Sequence, residues 1–356
     1  MARGRTLHCT MKNAPVCFGT GLVALDVILN GSPATLPKLS AGGSCGNVLS
    51  ILSYLNWSAY PVARLANDRA GAELVLDMTR WGVHQKFLSQ TEEGSTPIII
   101  HRILKDKNGL PIHKFEFKDP ETKGWLPQFK PITKNVAAEV MHSDLIPQVL
   151  YFDRMNPGTF ELAKYYKAKG SVIFFEPTSA KDEELFEKFL TLADVVKYSH
   201  ERIPEFRIKH PSITSFLEIE TLGKEGLVFR CKNRTKPNHW EEAKGFDIEK
   251  VQDAAGAGDW CSAGLITQLC SNGYKGLSSS SQNDVEKAIS FGQILGALNC
   301  LYDGARGLMY YIESKKLVKA VASVEMSKSI SSLKLPTSPI IDISSNLRFA
   351  KLYSKK

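Results

Sequence analysis

Val251-Gln252-Asp253-Ala254-Ala255-Gly256-Ala257-Gly258-Asp259-Trp260 is the most informative stretch of the chain. Three small residues, Gly256, Ala257 and Gly258, stand before an apolar run from Trp260 to Leu269 that reads as a helix. Small side chains leave backbone N–H groups open to a ligand, and the start of a helix adds partial positive charge. An anion such as a transferring phosphoryl group is stabilised at such a place. Asp259 falls in the first turn, where a carboxylate can take the proton of an attacking hydroxyl. An ordinary helix start, with Asp259 complementing the dipole, explains these ten residues equally well.

Three other segments carry the same kind of signal. Thr221-Leu222-Gly223-Lys224-Glu225-Gly226 follows a strand-like run, and its two glycines suit a tight turn under a ligand or an ordinary hairpin. Gly42-Gly43-Ser44-Cys45-Gly46-Asn47 opens an apolar helix read over Val48–Leu55, with Asn47 able to donate and accept hydrogen bonds. Asp26 follows the first strand, Val16–Gly19, and no other acid occurs before Asp68. Such an Asp is either a turn residue or, in a cleft, a ligand for hydroxyl pairs. Gly19-Thr20-Gly21-Leu22-Val23-Ala24 fits the dinucleotide pattern G-x-G-x-x-A, but that pattern needs a ribose-binding acid about 20 residues on. Residues 27–67 contain none, and no P-loop motif is present, so a Rossmann dehydrogenase is not expected.

Around these segments the pattern is β–α–β. Val149–Phe152, Ser171–Phe175 and Asp194–Tyr198 read as strands separated by helices at Pro157–Lys169 and Asp182–Leu192. Alternation of this kind implies a parallel sheet covered on both faces. Thr96–Leu104 and Ile112–Phe117, joined through Asn108-Gly109, read as a hairpin. Ser271–Gln282 reads as a polar loop. Gly292 and Gly296, in the helix Asp284–Cys300, allow close packing. The sequence turns Ser/Lys/Pro-rich after about residue 322 and reads as a loosely held tail.

The chain has 356 residues and a formal charge of +8. Residues 1–12 carry three Lys/Arg and no acid, and residues 313–356 carry nine Lys/Arg and three acids. The body between them is therefore near neutral, which argues against a nucleic-acid-binding face. No apolar run reaches membrane-spanning length, so no membrane role is expected. Seven cysteines at wide spacing form no C-x-x-C pair, which argues against disulfides or a zinc site. The N-terminus has no apolar signal region, and a reducing, cytoplasmic setting is expected.

Taken together, the segments resemble the ribokinase-like (PfkB) carbohydrate kinases over roughly residues 15–320. Asp253–Asp259 is similar to the family's D-T-x-G-A-G-D signature, with Ala254 in place of Thr. Gly42, Gly43 and Asn47 match its G-G-x-x-x-N sugar-binding segment, Asp26 its sugar-binding Asp, and Thr221, Gly223 and Gly226 its T-x-G-x-x-G nucleotide loop. Asp68 and Gly71 fit a further element in which Ala66 replaces a Gly, and Gly304-Ala305 matches the pair near the adenine pocket. The family's N-x-x-E motif, which helps organise magnesium, is replaced by Ser199-His200-Glu201-Arg202, with Glu201 as a displaced metal ligand.

The resemblance implies a three-layer α/β/α fold with a mostly parallel sheet over residues 13–322, a small β lid including about 96–117, and a basic tail over 323–356. It implies a phosphotransferase acting on an alcohol group, with ATP and Mg²⁺ and possibly a monovalent cation. Asp259 would be the general base, and Gly256, Ala257 and Gly258 the anion hole. Asp26, Gly42, Gly43 and Asn47 would bind the acceptor. Thr221, Gly223, Gly226, Asp253 and Gly304 would bind the nucleotide. The partner would be a sugar or nucleoside, with a homodimer possible through the lid. Ala254 and the Ser199–Arg202 segment leave room for a second reading, a catalytically weak member that binds or regulates. Arg102, Lys105 and Arg154 are candidates for gripping an acceptor phosphate, and Phe115, Phe117 and Trp125 for stacking.

Overall fold

In chain order, β1 (Val16–Thr20), β2 (Ala24–Asn30) and β3 (Lys38–Gly42) precede α1 (Ser44–Tyr54), β4 (Ser58–Ala66) and α2 (Arg69–Arg80). β5 (Leu88–Thr91), β6 (Ile98–Lys105) and β7 (Pro111–Glu116) lead to α3 (Lys134–Met141). Then come β8 (Val149–Phe152), α4 (Pro157–Ala168), β9 (Val172–Phe175), α5 (Glu183–Leu192), β10 (Val195–Ser199) and α6 (Phe206–Lys209). β11 (Leu217–Thr221), β12 (Gly226–Cys231) and β13 (Glu241–Lys244) complete the strands. Four helices follow, α7 (Ala257–Leu269), α8 (Gly273–Ser278), α9 (Gln282–Asn299) and α10 (Ser314–Ser327). This computed structural model describes residues 14–30, 36–105, 107, 111–327, 329–330, 333–345 and 351–352. The N-terminal basic cluster, Cys9, the Asn108-Gly109 turn and Phe349 lie outside the described residues.

Nine strands form one sheet in the order β13-β12-β11-β10-β9-β8-β1-β4-β5. From β11 to β5 every pairing is parallel, while β12 and β13 are antiparallel additions at one edge. β8 and β9 are buried at every position, as strands covered on both faces must be. One apolar core lies under α1, α2, α7 and α9, and the other under α3, α4 and α5. The result is the expected three-layer α/β/α arrangement. At the α7–α9 contact a Cβ on Gly264 would lie 2.7 Å from Gly292 Cα, so the backbones approach as the small residues suggested.

The lid is a separate four-stranded sheet, β3-β2-β6-β7. The segment 96–117 supplies only half of it. β2 and β3 supply the rest, with Asp26 paired to Ile99 and Ile28 to His101 in a parallel register. Asp26 therefore follows β1, as expected, but sits within a lid strand and not in a turn. The sequence hides this because Asp26 and Ser40 are buried polar residues that break the apolar alternation. Two further expectations shift. α1 begins at Ser44, and the polar stretch 271–282 contains α8.

The boundary expected near residue 322 falls inside α10. Beyond it, where a loose tail was expected, the chain lies along the body and the edge of the lid. Tyr302 Oη donates to Pro336 O, and Ile340 N donates to Tyr310 O. Leu39 N donates to Ile343 O and Ser345 N to Pro37 O, which covers the β3 edge. Ile330 and Leu352 are buried. No helix of the described residues is long and apolar enough to cross a membrane.

Candidate active site

Two helices point their N-termini at one cleft of about 420 Å³. α7 starts at Gly256, whose φ of 76° is left-handed. A Cβ there would lie 2.1 Å from Ala305 O, so only glycine fits. A Cβ on Gly258 would instead meet nothing closer than Lys197 Nζ at 3.6 Å. The amides of Gly258 and Asp259 lie in the first turn, where N–H groups have no partner within the helix. Ala257 N is already turned toward Ala254 O, at 3.4 Å, so it is the least available of the three expected anion-hole amides.

Behind this loop stands Asp253, almost fully buried. Its Oδ1 accepts from Ala255 N at 3.0 Å and its Oδ2 from Gly304 N at 2.8 Å. His101 Nε2, from lid strand β6, lies 3.3 Å from Oδ2. Burial opposes ionisation of Asp253, but the imidazole and the two amides outweigh it and hold the carboxyl below its ordinary range. Asp253 is thus a brace that joins the loop before α7, the Gly304 turn and the lid. Asn299 adds a second brace by donating to Ala255 O and accepting from Leu308 N.

α1 starts at Gly43, with φ 74° and a hypothetical Cβ 2.4 Å from Leu22 O. A Cβ on Gly42 would fall 2.0 Å from Asp26 Oδ2. The paired glycines therefore make room for the Asp26 carboxylate. Asn47, one turn into α1, donates from Nδ2 to Asp259 Oδ2 at 2.7 Å and so ties the two helix starts together. Asp26 Oδ1 and Asn47 Oδ1 are buried and accept no hydrogen bond from the described residues. Burial pushes the Asp26 carboxyl up to about 6, against the opposing pull of His101 and Arg306. Burial, and then the charge of Glu176, pushes Asp259 up to about 8. Asn47, Lys197 and Arg202 oppose that shift.

Of the expected site residues, Asp26, Gly43, Asn47, Glu201, Thr221, Gly256, Gly258 and Asp259 line the cleft. Gly42 sits behind Asp26, and Gly304 and Asp253 stand behind the loop. Gly223 lies in a 3₁₀ turn, and Gly226 starts β12 against Ala243 O. Phe115 and Phe117 roof the cleft, while Trp125 lies outside it beneath Lys118. Arg154 lines the cleft, pinned by Asp153 at 2.8 Å. Arg102 instead pairs with Glu116 on the lid, and the Lys105 side chain is outside the described residues.

Sequence reasoning missed a buried pair in the cleft wall. Lys197, on β10, donates to Glu176 Oε1 at 2.5 Å, and Tyr151 and Ser262 donate to Oε2. Burial disfavours the Lys197 charge, but Glu176 more than offsets it and raises its pKa. The available signal was a lysine inside the apolar strand Val195-Val196-Lys197-Tyr198, because buried cations require a partner. Among the described residues no group of three or more His, Cys, Asp or Glu is placed to hold a metal ion.

No curated protein matches this sequence significantly. The fold is shared with an uncharacterized sugar kinase from Pyrococcus horikoshii, at 20% identity and TM-score 0.62, over 85% of this chain and 97% of that one. It is shared with a fructokinase from Vibrio cholerae O395 in fructose-, ADP- and potassium-bound form, at 22% identity and TM-score 0.63, over 82% and 94%. It is also shared with aminoimidazole riboside kinase from Salmonella enterica, complexed with aminoimidazole riboside and an ATP analogue, at 17% identity and TM-score 0.64, over 86% and 99%. The profile of the pfkB family carbohydrate kinases matches residues 30–309. With that match spanning most of the sequence, and a lidded α/β/α fold around a cleft at two helix starts, the chain belongs to the pfkB family of carbohydrate kinases.

Proposed function

We propose that this protein transfers the γ-phosphoryl group of ATP to a hydroxyl of a sugar or riboside. The observation that carries this reading is the hydrogen bond between Asn47 and Asp259 at the meeting of two helix starts, beside the unpartnered acceptors Asp26 Oδ1 and Asn47 Oδ1. Buried acceptors without donors are costly, and the hydroxyls of a polyol would satisfy them. Asp26 and Asn47 hold the acceptor, with Gly42 and Gly43 giving them room. Asp259 takes the proton from the attacking hydroxyl. The Gly256–Gly258 backbone stabilises charge on the transferring group. Thr221 and Ala305 line the nucleotide side, while Gly223, Gly226 and Gly304 shape its turns.

ATP fits the open face of Gly258. Magnesium fits only as an ion carried by the nucleotide, with Glu201 the carboxylate facing it, and it would neutralise phosphate charge. The bound fructose of the fructokinase and the bound riboside of the riboside kinase support an acceptor class that spans sugars and ribosides. Six buried free thiols agree with a cytoplasmic setting, and exposed Leu104 and Ile112 on the lid offer a homodimer face.

ATP consumption and product analysis against a panel of sugars and nucleosides test the proposal. Saturable, acceptor-dependent ADP formation supports it. Binding of an acceptor without turnover would instead favour the regulatory reading, for which the altered Ser199–Arg202 segment is the specific motive.

A further inference from the structure

The segment after β10 departs from its family at two positions that matter. In Ser199-His200-Glu201-Arg202, Ser199 takes the place of the Asn and Arg202 the place of the Glu in N-x-x-E. An acid is exchanged for a cation at a position tied to metal organisation. The structure puts both residues in the cleft, with Gly258 and Asp259. The turn itself is fixed, because Arg202 N and Ile203 N both donate to Ser199 O at 3.1 Å and Ile203 is buried.

The charges around this turn are unevenly committed. Asp26, Glu176, Glu201 and Asp259 face the cleft. Lys197 is held by Glu176, and Arg154 is pinned by Asp153. The Arg202 guanidinium is exposed and makes no hydrogen bond or ion pair with a described residue. It is near enough to Asp259 to favour that carboxylate's charge. A polyphosphate seated at Gly258 would meet a wall rich in carboxylates, with Arg202 as the one lining cation not engaged by a described residue. Guanidinium forks bind phosphate oxygens through paired, charge-assisted hydrogen bonds.

We propose that Arg202 binds the terminal phosphates of the nucleotide directly, doing part of the work that a metal shell does elsewhere in the family. This rests on the kinase reading above. It follows that nucleotide binding here depends less on a divalent cation than on this arginine.

The test is calorimetric binding of ADP to the full chain in EDTA and in excess Mg²⁺, for wild type, R202Q and R202K. Wild type is expected to bind ADP in EDTA within about tenfold of its affinity with Mg²⁺. R202Q is expected to lose roughly 10- to 100-fold in EDTA, the scale of a charged hydrogen-bond pair, with an unchanged melting temperature because the side chain is exposed. R202K should recover part of the loss, since it keeps the charge without the fork. If wild type binds and R202Q binds equally well in EDTA, the role of Arg202 is overturned and the kinase reading stands. If wild type binds no ADP in either condition, the kinase reading falls and this proposal with it.

Discussion

α1 and α7 start alike and end up doing different work. Each begins at a glycine with positive φ and no side-chain cap. At α1 the start is closed over: Gly43 is pressed on Leu22 O, Gly46 N donates to Leu22 O at 3.2 Å, and Gly42 lies on Asp26. At α7 the cap Gly256 is likewise pressed on Ala305 O, but two residues on a Cβ on Gly258 would have room, its nearest neighbour being Lys197 Nζ at 3.6 Å. A glycine-rich helix start is therefore not an anion site by virtue of its residues. What covers it decides. At α1 Leu22 O and the Asp26 carboxylate fill the space beside Gly43 and Gly42, whereas at α7 the half-buried Gly258 lines the cleft with room beside it.

The first way to break this comparison is at the point where the two helices meet. D259N is expected to lower kcat by about 10²–10⁴-fold while acceptor binding persists, because the amide keeps the Asn47 contact in shape but takes no proton. With the carboxyl raised to about 8, kcat/KM of wild type should climb with pH through that value and level off above it. The same shift has a stability consequence of opposite direction. Between about 4 and 8 the folded protein holds a proton that the unfolded chain releases, so this group makes the fold less stable as pH rises across that window. D259N should flatten that fall. A pH-independent kcat/KM in wild type would remove Asp259 as the base.

Alanine at the two starts should sharpen the contrast. G43A places a Cβ against Leu22 O in a left-handed backbone and is expected to cost about 1–3 kcal/mol, read as a lower melting temperature. G258A has room for its Cβ, so its melting temperature should stay near wild type while the KM for ATP rises several-fold. Equal destabilisation by both would show that α7 is as closed as α1.

D26N should raise the acceptor KM by roughly 10- to 100-fold and spare ATP, since Oδ1 loses its charge but the nucleotide side is untouched. Separate titrations with acceptor and ATP analogue check it. The smallest catalytic effect is expected from deleting 329–356. Removing the buried Ile330 and Leu352 with the segment loses about 3 kcal/mol of apolar burial, so the melting temperature should drop by several degrees. Turnover should change by less than about twofold, because no described residue of that segment lines the cleft. A large loss of turnover would mean that the arm along β3 positions the lid.

The legible parts of this protein were those with local signatures. Asp253–Asp259 marked a helix start with its acid, and β8 and β9 announced a parallel sheet by unbroken apolar runs. The illegible parts were joined by long-range contacts. β2 and β3 are interrupted by the buried polar residues Asp26 and Ser40, and β2 finds its parallel neighbour β6 some seventy residues on. The Asp253–His101 brace links positions 152 residues apart, and Glu176–Lys197 links the residue after β9 to β10.

By itself, then, the sequence determined the layered α/β class, the glycine-rich loop that opens α7 and the acid in its first turn, because each rests on neighbouring residues and on backbone rules that act within one element. Only the tertiary structure decided which glycines open onto the cleft, which carboxylates are spent as braces, and where the lid and the C-terminal arm belong. Those outcomes depend on what packs across from a residue, and burial, hydrogen-bond satisfaction and charge pairing are properties of the assembled neighbourhood rather than of the chain order.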